Sequence, residues 1–81
     1  MNYALSLNKI NLAALFTERD GGVRISFRSK GEVDVNVFAR TYFEGGGHKH
    51  AAGATSYLSL AETIRKFEEC IRKFGKVLTK N

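Results

Sequence analysis

Val23-Arg24-Ile25-Ser26-Phe27-Arg28 alternates apolar and polar residues without a break. Successive side chains of a strand point to opposite faces, so Val23, Ile25 and Phe27 fall on one face and Arg24, Ser26 and Arg28 on the other. Just upstream, Arg19-Asp20-Gly21-Gly22 contains Asp-Gly, the strongest short-range hairpin signal. Before the turn, Ile10 to Thr17 is apolar at nearly every position, like a strand covered on both faces. A short helix competes there, because Leu, Ala and Asn are not strong strand formers. The two segments together predict an antiparallel hairpin that ends at Ser29-Lys30-Gly31.

Downstream, Asp34 is placed to cap a helix that buries Val35, Phe38, Ala39, Tyr42 and Phe43, a spacing that puts them on one helical face. Gly45, Gly46 and Gly47 stop that helix. His48 to Ala52 then reads as a short helical turn, and Gly53 to Leu58 as another strand. Ser59-Leu60-Ala61-Glu62 has the form of a capping box. The helix that follows carries Leu60, Ile64, Phe67, Ile71 and Phe74 along one stripe, with charged residues on the wet side. Gly75 reads as its stop and Val77-Leu78 as a short edge segment. The order predicts an α+β fold: a small mixed sheet, two main helices packed on one face, and a Gly-rich loop.

The chain has 81 residues, enough for one small domain. A domain of this size buries only about 60–65% of its unfolded surface, which leaves little room for an enclosed catalytic cavity. The formal net charge of +5 fits either a solvated basic surface or attraction to phosphate-bearing partners. Cys70 is the single cysteine, so no internal disulfide framework exists, and a reducing compartment suits it. No apolar run approaches the ~20 residues of a membrane span, and the first residues lack the pattern of a signal peptide. The sequence therefore reads as cytoplasmic, with no membrane partner.

The residues with chemical potential lie in two places. Gly45-Gly46-Gly47-His48-Lys49-His50-Ala51-Ala52-Gly53 joins side-chain-free backbone to a histidine and a lysine. Such a segment can turn N–H groups toward an anion, and a short helix at Ala51-Ala52 would add its N-terminal dipole. The alternative is a mobile connection with His48 and Lys49 merely exposed. The second place is Arg28-Ser29-Lys30-Gly31. Arginine offers a planar fork that fits a phosphate at two points, and Ser29 adds a hydroxyl donor. Solvent-facing positions of a half-buried sheet would look the same. The two readings converge only if the Arg28 end of the strand lies beside the glycines.

Other chemistry is weak. His48 and His50 lack the third and fourth ligands of a metal site, and a structural role for His50 is the simpler reading. Ser26, Ser29, Ser56 and Ser59 have no base and orienting acid placed beside them in sequence. Asp20 and Asp34 read as turn and cap residues, and Cys70 as a small core or boundary residue.

Val23 to Gly31, Asp34-Val35, Gly45-Gly46-Gly47-His48 and Ala51-Ala52-Gly53 together resemble the DHH-associated C-terminal domain, the substrate-binding half of DHH-family phosphoesterases. The likeness covers roughly residues 4 to 74 and is nearest to the oligoribonuclease and 3′-phosphoadenosine-phosphate phosphatase branch, with RecJ-type exonucleases more distant. One departure is Glu44, which stands where the family motif often has a further glycine.

The resemblance implies a larger N-terminal DHH domain that binds two divalent metals, usually manganese, and activates water for phosphoester hydrolysis. It implies that Arg28, Ser29, Gly45, Gly46, Gly47, His48, Lys49, Ala51 and Gly53 grip the substrate, either short RNA or a phosphoadenosine nucleotide. This chain carries no Asp-His-His motif. Residues 1–81 therefore read as the single C-terminal domain of a longer two-domain enzyme, with no metal of its own and no catalysis in isolation. Three rival readings are a stand-alone nucleotide- or RNA-binding module, a tRNA-contacting domain like that of alanyl-tRNA synthetases, and an assembly domain. The assembly reading requires an exposed stripe at Leu60, Ile64 and Phe67.

Overall fold

Strand β1 spans Asn2–Leu7, β2 Leu12–Arg19 and β3 Gly22–Ser29. Helix α1 follows at Val35–Tyr42, then β4 at Gly45–His48, β5 at Ala51–Ser56 and helix α2 at Leu60–Thr79. The computed structural model describes residues 2–7 and 11–79, with the backbone alone for residues 75–79.

The hairpin forms as the alternation requires. β2 and β3 pair antiparallel, with Phe16 opposite Ile25 and Ala14 opposite Phe27. The five strands run in the order β1-β2-β3-β5-β4, and every pairing is antiparallel rather than mixed. The short β1–β2, β2–β3 and β4–β5 connections require this for those pairs, because parallel neighbours need a long crossover. Ile10, expected in the second strand, lies outside the described residues.

Both helices cover the same face of the sheet. Phe16, Val23, Ile25 and Phe27 point from the sheet into the core, and Val35, Phe38 and Ala39 meet them from α1. Asp34 caps α1 by accepting from the Val37 amide at 3.0 Å. Phe43 is not the last helical residue but the C-cap, and it remains buried.

Helix α2 begins at the capping box: the Glu62 amide donates to Ser59 Oγ at 3.1 Å, and that hydroxyl donates to Glu62 Oε1 at 2.9 Å. Its Phe67 is fully buried, while Leu60, Ile64 and Ile71 are partly buried against the core. Of the stripe required by an assembly domain, Phe67 is buried in the molecule's own core and Leu60 and Ile64 are partly buried against it. Burial raises the Cys70 thiol above its ordinary pKa, with Glu69 adding to the rise and Lys66 and Lys73 opposing it.

Four local expectations give way to other structure. The glycines form β4 instead of a loop, and residues 51–52 belong to a strand instead of a helical turn. Without that helical turn there is no helix dipole at Ala51. Gly75 does not end α2, and Val77-Leu78 is helical, not an edge segment. Glycine weakens a helix by only about 1 kcal/mol, which the rest of a 20-residue helix readily outweighs. β1 was not expected at all, although Tyr3, Leu5 and Leu7 alternate.

Phe67 packs against three other rings: Phe16 at 5.4 Å, Phe38 at 5.7 Å, both edge-on, and Phe27 at 6.1 Å, stacked. Phe67→Ala leaves a cavity at the point where α1, α2 and the sheet meet. The expected cost is about 3–5 kcal/mol, read as a lowered urea midpoint.

Candidate functional site

The site is built around the turn between β4 and β5. Lys49 and His50 form this turn, and three separate segments hold it. The Ser29 amide donates to the His50 carbonyl at 3.0 Å, and the Val35 amide donates to the Lys49 carbonyl at 2.8 Å. Ser29 Oγ donates to the Val33 carbonyl at 2.7 Å and also lies 3.1 Å from the Lys49 carbonyl. His50 Nε2 donates to the Gly31 carbonyl at 2.8 Å, which fixes the proton on that nitrogen.

Ser29 and His50 therefore serve the architecture directly. A hydroxyl has one proton to give, and that of Ser29 is engaged by backbone carbonyls. His50 joins the turn to the end of the β3 segment, the structural role its sequence context suggested.

Strand register then brings the two motifs together. Arg28 sits opposite Ala51 on one side, and His48 sits opposite Ala51 on the other. Arg28 and His48 thus flank Ala51 in one cross-strand row, about 10 Å apart at two strand spacings. Both side chains are exposed, as is that of Lys49. Arg28 Nη1 donates to the Phe27 carbonyl at 2.8 Å, and the other N–H groups of its fork remain. In the next row, Gly53 lies between Ser26 and Gly46.

The glycines have a steric reason. A Cβ on Gly45 would come within 2.6 Å of the Ala54 Cβ, and one on Gly47 within 2.6 Å of the Ala51 carbonyl. Both are closer than real side chains tolerate, and Gly47 also has φ +156°. β4 therefore lies tightly on β5 only because these side chains are missing. Gly46 is confined on its other side, where a Cβ would lie 3.2 Å from Asn36 Oδ1 and 3.3 Å from Arg40 Cγ.

Asn36 completes this arrangement and was missed in sequence. Its Oδ1 accepts from the Gly47 amide at 3.0 Å, tying α1 to the glycine strand. Nothing in a helix position written Val-Asn-Val distinguishes such a residue, except that a polar side chain sits in the first turn. With the Gly47 amide spent on Asn36 and the glycines extended, the segment is not a curled anion nest.

Cationic side chains outnumber acidic ones at this end of the molecule: Arg28, Lys30 and Lys49, with His48 beside them, against Glu32 and Asp34 in the connection to α1. Asp34 is committed to its cap. Among the described residues no group of three His, Cys, Asp or Glu is gathered as a metal site. The arrangement suits binding an anion across Ala51.

Comparison with known proteins identifies the family of this fold. A family model described as the DHHA1 domain matches residues 1–76. The chain is 44% identical over 52 residues to the bifunctional oligoribonuclease and PAP phosphatase NrnA of Bacillus subtilis (strain 168), covering 64% of this chain and 16% of that protein. It also superimposes on the crystal structure of an exopolyphosphatase-related protein from Bacteroides fragilis. That match has a TM-score of 0.81 and 29% identity, and covers 93% of this chain and 22% of the other. The chain thus spans less than a quarter of either relative.

Asn36→Ala removes the only side-chain acceptor described for the Gly47 amide. The expected loss is about 1 kcal/mol of stability, with faster hydrogen exchange at Gly47 than at the β3 amides. Unchanged exchange at Gly47 would show that β5 alone fixes β4.

Proposed function

The chain belongs to the DHHA1 domain family, and we propose that it is the nucleotide-gripping domain of a two-domain phosphoesterase acting on short oligoribonucleotides or 3′-phosphoadenosine 5′-phosphate. The observation that carries this reading is the row Arg28–Ala51–His48. Two motifs separated by some twenty residues meet there, and the small side chain between them leaves room for a phosphate.

In this reading Arg28 offers its planar fork to two phosphate oxygens. His48 donates a ring N–H from the opposite side, and Lys49 adds charge without fixed geometry. Gly45, Gly46, Gly47, Ala51 and Gly53 keep the surface low, so that the ligand can approach the backbone closely. Ser29 acts by holding the turn in place. Hydrolysis belongs to an N-terminal DHH domain, where two divalent metals, manganese by family expectation, supply an activated water. This chain contributes position and charge neutralisation to that reaction. A reducing cytoplasm is the compartment this reading entails, and it suits the lone Cys70.

Titration of the domain with 3′-phosphoadenosine 5′-phosphate, followed by amide NMR, tests the reading. Shifts are expected at Arg28 and at Gly45 to Gly53. Arg28→Ala and His48→Ala are each expected to weaken binding about tenfold or more, as for loss of a hydrogen bond to a charged group. Equal affinity in both variants would refute it.

A further inference from the structure

The end of the sheet opposite the Lys49–His50 turn has features that the grip on one phosphate leaves unused. Tyr57 follows β5 and is 82% exposed, the largest exposure among the bulky apolar side chains of the described residues. It borders an open cavity of about 290 Å³ together with Arg40, Tyr42, Glu44, Thr55 and Lys66. The Lys66 ammonium sits 4.6 Å from the centre of the Phe43 ring, so its position at the cavity is defined. Arg24 is the cross-strand partner of Thr55 and brings a third cation to this end. Glu44 is the opposing carboxylate lining the cavity.

The two ends are joined by the same strands. From Glu44 beside the cavity, through β4, to His48 in the Arg28 row is about 13 Å at the rise of an extended strand. Arg40 stands midway: its Cγ and Cδ lie 3.3 and 3.6 Å from where a Gly46 Cβ would be. Arg28 and His48 lie in a row of the open face of the sheet, whereas Arg40 and Lys66 belong to the helices on the other face, so a strand following these cations crosses the β4 edge at Gly46 before it reaches the exposed Tyr57 ring. Sequence-tolerant binding of single strands uses this pairing of backbone-tracking cations with a stacking platform. A lone mononucleotide is too short to reach both ends.

We infer that Tyr57, Arg40 and Lys66 form a second subsite that takes the single-stranded RNA tail beyond the nucleotide held at Arg28 and His48. A base stacks on the Tyr57 ring, and the phosphates leading to it pass Arg40 and Lys66. This rests on the nucleotide-gripping reading and adds to it a preference for oligoribonucleotides over a single nucleotide.

The test compares adenosine 3′,5′-bisphosphate with pentaadenylate RNA by NMR titration. The bisphosphate is expected to shift Arg28 and the Gly47 to Ala51 segment only. Pentaadenylate is expected to shift Tyr57, Arg40 and Lys66 as well and to bind about tenfold more tightly, within the range of one base–aromatic stack. Tyr57→Ala should abolish the length advantage and leave bisphosphate affinity unchanged, while Tyr57→Phe should retain it.

A length advantage that survives Tyr57→Ala overturns the inference. So does pentaadenylate binding that leaves Tyr57 unshifted while Arg28 responds, and in that case the grip at Arg28 stands. Shifts at Tyr57 with none at Arg28 or His48 uphold the subsite and overturn the grip. Silence at both ends overturns both.

Discussion

The connection between β4 and β5 is held by carbonyls that face inward. Lys49 and His50 each present a backbone oxygen to a donor from another segment, Val35 and Ser29 respectively. The Ser29 hydroxyl and the His50 ring bind the intervening residues Val33 and Gly31. One turn thereby fixes the end of β3, the start of α1 and the register of the β4–β5 pair. Each such bond is worth only about 0.5–1.5 kcal/mol net. Their common effect is positional, because losing any of them lets the Arg28–Ala51–His48 row change its spacing.

The second constraint is steric and acts along β4. Gly45 and Gly47 leave no room for a Cβ against Ala54 and Ala51, so β4 closes on β5 from one side while Asn36 and Arg40 approach Gly46 from the other. α1 can lie this close because its own inner face, Val35, Phe38 and Ala39, is drawn to Phe27 and Phe67 by burial. The aromatic core thus sets the helix, the helix confines the glycine strand, and the glycine strand presents His48 beside Arg28. The geometry of the site follows from packing.

Much of this was legible in the chain. The alternation from Val23 to Arg28, the Asp-Gly turn, the Asp34 cap and the Ser59–Glu62 box are local signals, and local physics produced what they foretold. β4 was not legible, because consecutive glycines carry no strand propensity of their own; they are extended only because β5 and α1 hold them. β5 begins earlier than expected for the same reason, since Ala51 pairs with Arg28 where a helical turn was foreseen. At the site, Arg28 and the Gly-Gly-Gly-His motif were visible as separate features, whereas their adjacency depended on a strand order that crosses from β3 to β5. Asn36 and the bonds of Ser29 to the β4–β5 turn were invisible, since their partners are backbone groups distant in sequence.

The most direct measurement is the amide spectrum of Ser29→Ala without any ligand. If the hydroxyl holds the turn, Val33, Val35 and His48 to Ala51 shift together, and hydrogen exchange at Val35 and Ala51 speeds up. Perturbation confined to residues 28–30, with exchange at Val35 and Ala51 unchanged, would contradict the claim that this turn positions the site.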